Sequence, residues 1–239
     1  TALVVARIDA HSGAGDVVAD LFGRGGWVAR AALDRQRQAI TLESNPLTRM
    51  LAEVVLRPPD VRHLDAAFQG MAASPRRESS LKVSLGDLYA TRCPTCGRML
   101  VAEGFVWGTG DPAPTALARI YRCTVCRDQR GETEIRQAPL DADDQVRLRA
   151  DVGEDEVRAV IKARFPAVEG APDLVDELLD LHTPRQLVGL AAIIERIETD
   201  LRAAPVLAAL RLAFLHSLLP SSRLATATGR TRTGRTSLS

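Results

Sequence analysis

Asp16-Val17-Val18-Ala19-Asp20-Leu21-Phe22-Gly23-Arg24-Gly25-Gly26-Trp27-Val28 is followed, after a short amphipathic run, by Ala39-Ile40-Thr41-Leu42-Glu43-Ser44-Asn45-Pro46. Apolar residues run into a glycine-rich turn, a helical pattern follows, and a second apolar run ends on a carboxylate. This order predicts strand, turn, helix, strand and acid. A glycine turn ahead of a helix lets backbone N–H groups approach a ligand closely, and an acid after the second strand is placed to accept hydrogen bonds from ribose hydroxyls. Glu43 stands 23 residues after Asp20, a spacing that suits an adenosine-type cofactor. The full G-x-G-x-x-G order is missing, so a tight turn in any α/β domain stays open as the alternative reading.

Asp20-Leu-Phe-Gly-Arg-Gly-Gly26 resembles the Asp-Pro-Phe-x-Gly-x-Gly cofactor loop of S-adenosylmethionine-dependent DNA methyltransferases of the amino-methylating kind. Val17-Val18-Ala19-Asp20 is similar to the strand before that loop, and Glu43-x-Asn45-Pro46 to the acid and Asn-Pro after the family's second strand. Leu21 stands where the family has proline, and the glycines align with a shift of one position. The likeness covers about residues 1–60 and, more loosely, the helical segments after 180. It implies that Asp20, Phe22, Gly23, Gly25, Gly26, Glu43, Asn45 and Pro46 bind S-adenosylmethionine. Leu81–Leu85 alternates as a strand should and leads to Gly86-Asp87. In the resembled family a strand-end acid there contacts the adenine amine, so Asp87 is a further candidate; a solvated turn aspartate is the alternative.

Cys93-Pro-Thr-Cys96-Gly97 and Cys123-Thr-Val-Cys126 are separated by 26 residues. Two C-x-x-C pairs supply four soft thiolates, the donor set of tetrahedral zinc. The pattern predicts a zinc ribbon: Arg98–Trp107 and Leu117–Arg122 as strands, split by the turn from Gly108 to Pro114. An iron–sulfur cluster also takes four thiolates. Arg92, Arg98, Arg119, Arg122, Arg127 and Arg130 surround the cysteines, so a DNA-contacting basic face and a solvated structural knob are both open. The histidines are scattered and suggest no second metal site.

Farther on, Asp141–Ala150 reads as a charged linker, and Glu154–Phe165, Asp173–Leu181 and Ala203–Leu219 read as helices. Thr183-Pro184-Arg185-Gln186 opens another, with threonine as N-cap and proline in the first turn. This start is similar to one in DNA methyltransferases that carry an inserted cysteine ribbon, which implies that Arg185 and Gln186 reach a phosphate or a base. After Pro220 the sequence is low in complexity, and from Arg223 it is basic; it is expected to be disordered.

The 239 residues carry a net charge of +1 and are 46% hydrophobic but only 4% aromatic. Bulk charge therefore does not demand a nucleic-acid partner. No run approaches the roughly 20 apolar residues of a membrane span, and no signal-peptide pattern is present, so no membrane partner and a cytoplasmic location are expected. Paired cysteines fit a reducing compartment. Opening on Thr1, the chain is expected to be a fragment or processed form.

The expected organisation is α/β: a partial Rossmann-like methyltransferase domain over 1–90, an inserted zinc ribbon over 91–138, a C-terminal helical region over 139–220 and a basic tail over 221–239. The expected function is transfer of a methyl group to adenine N6 or cytosine N4 of DNA. The family's Asp/Asn/Ser-Pro-Pro-Tyr/Phe tetrapeptide is not in this sequence; Arg57-Pro58-Pro59-Asp60 does not match it. The chain alone is therefore expected to be inactive. A non-catalytic zinc-ribbon nucleic-acid-binding protein is the alternative, and a nicotinamide-dependent enzyme is a more distant one.

Overall fold

In a computed structural model, the residues described are 2–108, 116–126, 133–165 and 167–222. The chain is mixed α/β and divides into two compact units. One takes the residues up to Met71 together with Ile193–Leu218; the other takes Ala72–Ala192 and the residues after Leu218.

The first unit begins with α1 (Ala2–His11), β1 (Val17–Asp20), α2 (Trp27–Leu33), β2 (Gln38–Thr41) and α3 (Pro46–Leu56). The next helix, α4 (Val61–Ala73), leads out of it. β1 and β2 pair in parallel, Val17 opposite Gln38 and Asp20 opposite Thr41, with α2 as the connection between them. Ile8, Ala31 and Ala32 form a small core with Val4, Val5, Val18 and Ala39. The strands alternate accordingly: Val18 and Ala39 turn toward α1 and α2, while Val17 and Ile40 are more than half exposed. The apolar run from Val17 to Phe22 is thus not strand throughout. The strand has four residues and one covered face, and Leu21 and Phe22 belong to the turn. Asn45 starts α3 by accepting a 2.8 Å bond from Leu47 N, with Pro46 at the first helical position, where a missing N–H costs nothing.

The second unit opens with a two-residue hairpin, β3 (Pro75–Arg76) and β4 (Ser79–Ser80), followed by α5 (Leu81–Leu88). The expected strand at 81–85 is therefore a helix, and the strand-end position expected of Asp87 does not exist. Leu81, Leu85 and Leu88 satisfy helical spacing as well as Leu81–Leu85 satisfies strand alternation. Ser80 decides the matter by accepting from Val83 N and capping the first turn.

Next, β5 (Ala90–Arg92) pairs antiparallel with β6 (Met99–Val101), and β7 (Gly104–Trp107), β8 (Ala116–Arg122) and β9 (Ile135–Pro139) form a three-stranded antiparallel sheet. The single strand expected over 98–107 is broken at Ala102–Glu103, where the chain changes sheets. Ala102 N bonds Tyr89 O and Glu103 N bonds Ile120 O, each at 2.8 Å. Residues 109–114 of the expected turn lie outside the described residues.

The segment expected as a linker is α6 (Ala142–Arg149), started by a capping box in which Asp141 and Asp144 exchange bonds. α7 (Glu154–Arg164) and α8 (Leu174–Asp180) are linked by Arg158–Asp180 and Lys162–Asp176 ion pairs of 2.8 and 2.7 Å. α9 (Pro184–Thr199) starts as expected. Thr183 N donates to Gln186 Oε1 at 2.7 Å and Gln186 N donates back to Thr183 Oγ1. Gly189 of α9 leaves room for Leu85 and Leu88 of α5, which stand 3.5 and 3.8 Å from where a Cβ would be. α10 (Ala204–Leu218) returns to the first unit, where it packs on α3 and buries Val206 and Leu210. Beyond Ser222 the expected tail lies outside the described residues. Among those residues, no helix is long and apolar enough to cross a membrane.

Candidate metal centre and glycine-turn cleft

Cys93 and Cys96 sit on the turn between β5 and β6; Cys123 and Cys126 follow β8. The first turn is shaped by Gly97, whose positive φ of 71° suits glycine, and by 2.9 Å bonds from Cys93 N to Arg98 O and from Gly97 N to Cys93 O. The four sulfurs lie within 4.8 Å of one another, Cys93 and Cys126 at 3.9 Å and Cys96 and Cys123 at 3.7 Å. Tetrahedral zinc with bonds of ~2.3 Å holds its sulfurs about 3.8 Å apart, whereas a disulfide closes to about 2.05 Å. The site therefore has the dimensions of one tetrahedral ion such as zinc; a multi-iron cluster is wider and spreads its thiolates. Cys93 and Cys123 are buried with Tyr121 and Ala138, Cys126 is partly buried and Cys96 faces solvent.

Electrostatics prepares two of these thiols. Burial pushes Cys93 upward, but backbone N–H bonds from Cys96 and Thr95 outweigh it and bring the thiol down to about 6. Backbone N–H groups of Cys126 and Val125 lower Cys123 as well. Cys126 is pushed up to about 12 by the Cys96 thiol, then by burial and the other sulfurs. Such a mixture is what a thiolate set does when no cation balances it: some sulfurs ionise and the last one cannot.

The arginines expected on a DNA-contacting face are mostly engaged. Arg119 is buried and pairs with Asp141 at 2.8 Å and with Asp144. Arg122 pairs with Glu103 at 2.9 Å. Arg185 is buried and donates through Nη1 to Leu88 O at the end of α5, where a cation answers the helix dipole. Gln186 closes the cap of α9. Arg98 is exposed, and Arg127 lies outside the described residues. Spacing revealed these cations, but not the acids and carbonyls that occupy them.

In the first unit, Asp20 and Glu43 come together at the same end of adjacent parallel strands. Leu42 N bonds Asp20 O at 2.9 Å and Gly23 N bonds Leu42 O at 3.1 Å. Asp20 Oδ1 accepts from Phe22 N at 3.2 Å. Glu43 braces the turn: Oε1 accepts from Gly25 N at 3.3 Å, and Oε2 accepts from Thr48 Oγ1 on α3. Each oxygen keeps a further lone pair.

A cleft of about 460 Å³ opens between Leu21–Arg24 and Leu42–Ser44, and a hollow of about 740 Å³ adjoins it, also bounded by Glu43 and by α3 and α10. Thr41 Oγ1, which borders the hollow, is buried without a hydrogen-bond partner among the described residues. Of the sequence candidates, Phe22, Gly23 and Glu43 line the cleft and Asp20 flanks it. Gly25 and Gly26, at φ 76° and 77°, are buried against Leu51 and Ala52 of α3. Asn45 and Pro46 serve the helix cap, and Asp87 is on α5 in the other unit. Arg24 and Ser44 were not among the candidates, although their place beside Gly23 and Glu43 could have marked them.

Comparison with known protein families, with curated proteins and with solved structures gives no match.

Two outcomes are expected. A Cβ on Gly23 would stand 2.2 Å from Thr41 Oγ1 and 2.9 Å from Leu42 O, whereas one on Gly70 of α4 meets nothing within 4 Å. Urea denaturation should therefore show Gly23→Ala destabilised by about 1–3 kcal/mol and Gly70→Ala unchanged or stabilised by up to about 1 kcal/mol. The chain should also bind a single zinc ion, and Cys123→Ser should release it to a chelator. Near pH 7 the Cys93 thiol is largely ionised while Cys126 holds its proton, and that proton must leave when metal binds. Zinc affinity should then rise with pH, about tenfold per unit for each proton displaced. Competition with a chromophoric chelator across neutral pH checks this, and a flat profile would contradict it.

Proposed function

We propose that this chain is the cofactor-binding part of an S-adenosylmethionine-dependent DNA methyltransferase acting on an exocyclic amine of adenine or cytosine. A partial Rossmann-like half would hold the cofactor, and an inserted zinc ribbon would stabilise the second unit. The observation that carries the reading is that Phe22, Gly23 and Glu43 line one cleft, flanked by Asp20, at the ends of two parallel strands, the place where open α/β sheets bind ligands.

The cleft's residues suit that cofactor. Glu43 has lone pairs left for ribose hydroxyls, held in place by Gly25 N and Thr48. Phe22 is 87% exposed at the rim, an apolar ring free to cover a bound molecule. Thr41 Oγ1, buried and without a partner among the described residues, marks a polar position that water or a ligand would fill. The sulfonium of the bound cofactor supplies an activated methyl group. The chain's own part is to bind and orient it, because the tetrapeptide that would receive the target amine is not in the sequence. The target base would be flipped from the duplex onto residues contributed by another polypeptide segment. Four thiolates that must stay reduced fit a cytoplasmic setting.

The alternative of a non-catalytic zinc-ribbon nucleic-acid binder is less favoured, since Arg119, Arg122 and Arg185 are already bonded within the chain. Isothermal titration separates the readings. S-adenosylmethionine should bind the wild-type chain and bind at least about tenfold more weakly to Asp20→Ala and Glu43→Ala, a loss of about 1.4 kcal/mol or more. No methyl transfer to DNA is expected from these residues alone. Salt-dependent DNA binding without any heat from the cofactor would instead select the alternative.

A further inference from the structure

Thr91, Arg119 and Asp144 are each 2% exposed, and they meet at one carboxylate. Thr91 Oγ1 donates to Asp144 Oδ1 at 2.7 Å, and Arg119 Nη1 donates to Asp144 Oδ2. Asp141 N reaches the same Oδ2 at 3.3 Å, and Asp141 Oδ2 takes a second bond from Arg119 Nη1 at 2.8 Å. Asp141 and Asp144 are the capping box of α6, so the start of this helix is built around the buried acid.

The placement of the two donors ties this cluster to the metal centre. Thr91 lies on β5, two residues before Cys93; Arg119 lies on β8, four residues before Cys123. These strands belong to different sheets and no hydrogen-bond ladder joins them. The thiolate set links their ends on one side and Asp144 links them on the other.

A buried ion pair offsets its desolvation only in good geometry, so a small change in separation can turn it from holding to unfavourable. Arg119 has little reserve, because its Nε finds no acceptor among the described residues. Beyond that acid α6 has only shallow anchors: Arg147 and Leu148 are half-buried, and Asp143 forms an exposed 3.5 Å ion pair with Arg92 of β5.

We propose that the metal centre and the buried Thr91–Asp144–Arg119 cluster work as one conformational device. Metal held by the four thiolates sets β5 and β8 at the spacing where Thr91 and Arg119 both reach Asp144, and α6 is docked only then. Loss of the metal lets the strands shift, opens the carboxylate to water and releases α6. The inference rests on the metal centre and not on the methyltransferase reading.

Hydrogen–deuterium exchange of the full chain, zinc-loaded and after chelation, tests it. Amides of Asp144–Arg149 should exchange at least about tenfold faster without zinc, while those of α7 in the same unit keep their rates. Asp144→Asn should still take up one zinc ion, read with a chromophoric chelator, yet show fast α6 exchange with or without it. Should that variant not fold, Thr91→Val is read in its place, with a smaller difference between the two states expected than in the wild type. The proposal is overturned if α6 exchange is indifferent to zinc in the wild type. It is equally overturned if α7 accelerates as much as α6, which is general unfolding, or if the variant that is read keeps the full wild-type dependence.

Discussion

A two-stranded sheet is marginal in water, and among the described residues this chain has three of them beside one sheet of three strands. Ladder hydrogen bonds alone do not secure such pairs, so each must be braced from outside the ladder. For β1 and β2 the brace on one side is the packing of α1 and α2 on Val18 and Ala39. At the strand ends it is Glu43, whose carboxylate joins the glycine turn to α3. For β5, whose ladder partner is β6, it is the thiolate set and Asp144, which tie it to β8. In both units a carboxylate accepting donors from separate elements does what a longer sheet would do by itself.

This arrangement explains why the chain's charges are less available than its composition suggests. Near-equal numbers of basic and acidic residues give +1, and many pairs are internal. Arg119, Arg122, Arg158 and Lys162 meet acids, and Arg185 meets a helix carbonyl. The first unit pairs charges as well, Arg30 with Asp34 and Arg35 with Asp9, and differs in its apolar surface. One face of its parallel pair is uncovered, with Val17 and Ile40 more than half exposed, although parallel strands are usually covered on both faces. Phe22 and Trp27 stand exposed on either side of the glycines. The turn offers backbone and aromatic surface where the second unit offers soft donor atoms.

The parts of the fold that were legible share one property: their signal is local. Thr183-Pro184 announces a helix start because cap and proline act within one turn. The misreadings arose where two local patterns fit equally. Leu81–Leu85 satisfies a strand period and a helix period, and Ser80 tips the balance. β9 gives no clear period. α6 reads as a linker because the residue that anchors it, Asp144, is an acid with partners 53 and 25 positions away.

By itself the sequence determined that each close pair of cysteines would present its two soft donors together, because a C-x-x-C turn brings its own two sulfurs together whatever surrounds it. It also determined the order strand, glycine turn, helix, strand and acid. Only the tertiary structure decided that Glu43 spends part of its carboxylate on Gly25 and Thr48, that Arg119 and Arg185 are interior, and that Asp144 ties the strands of the metal module to a helix. Those outcomes depend on which distant donor reaches an acceptor first and how far water is excluded around it. A contact between residues far apart in the chain has no periodicity to betray it.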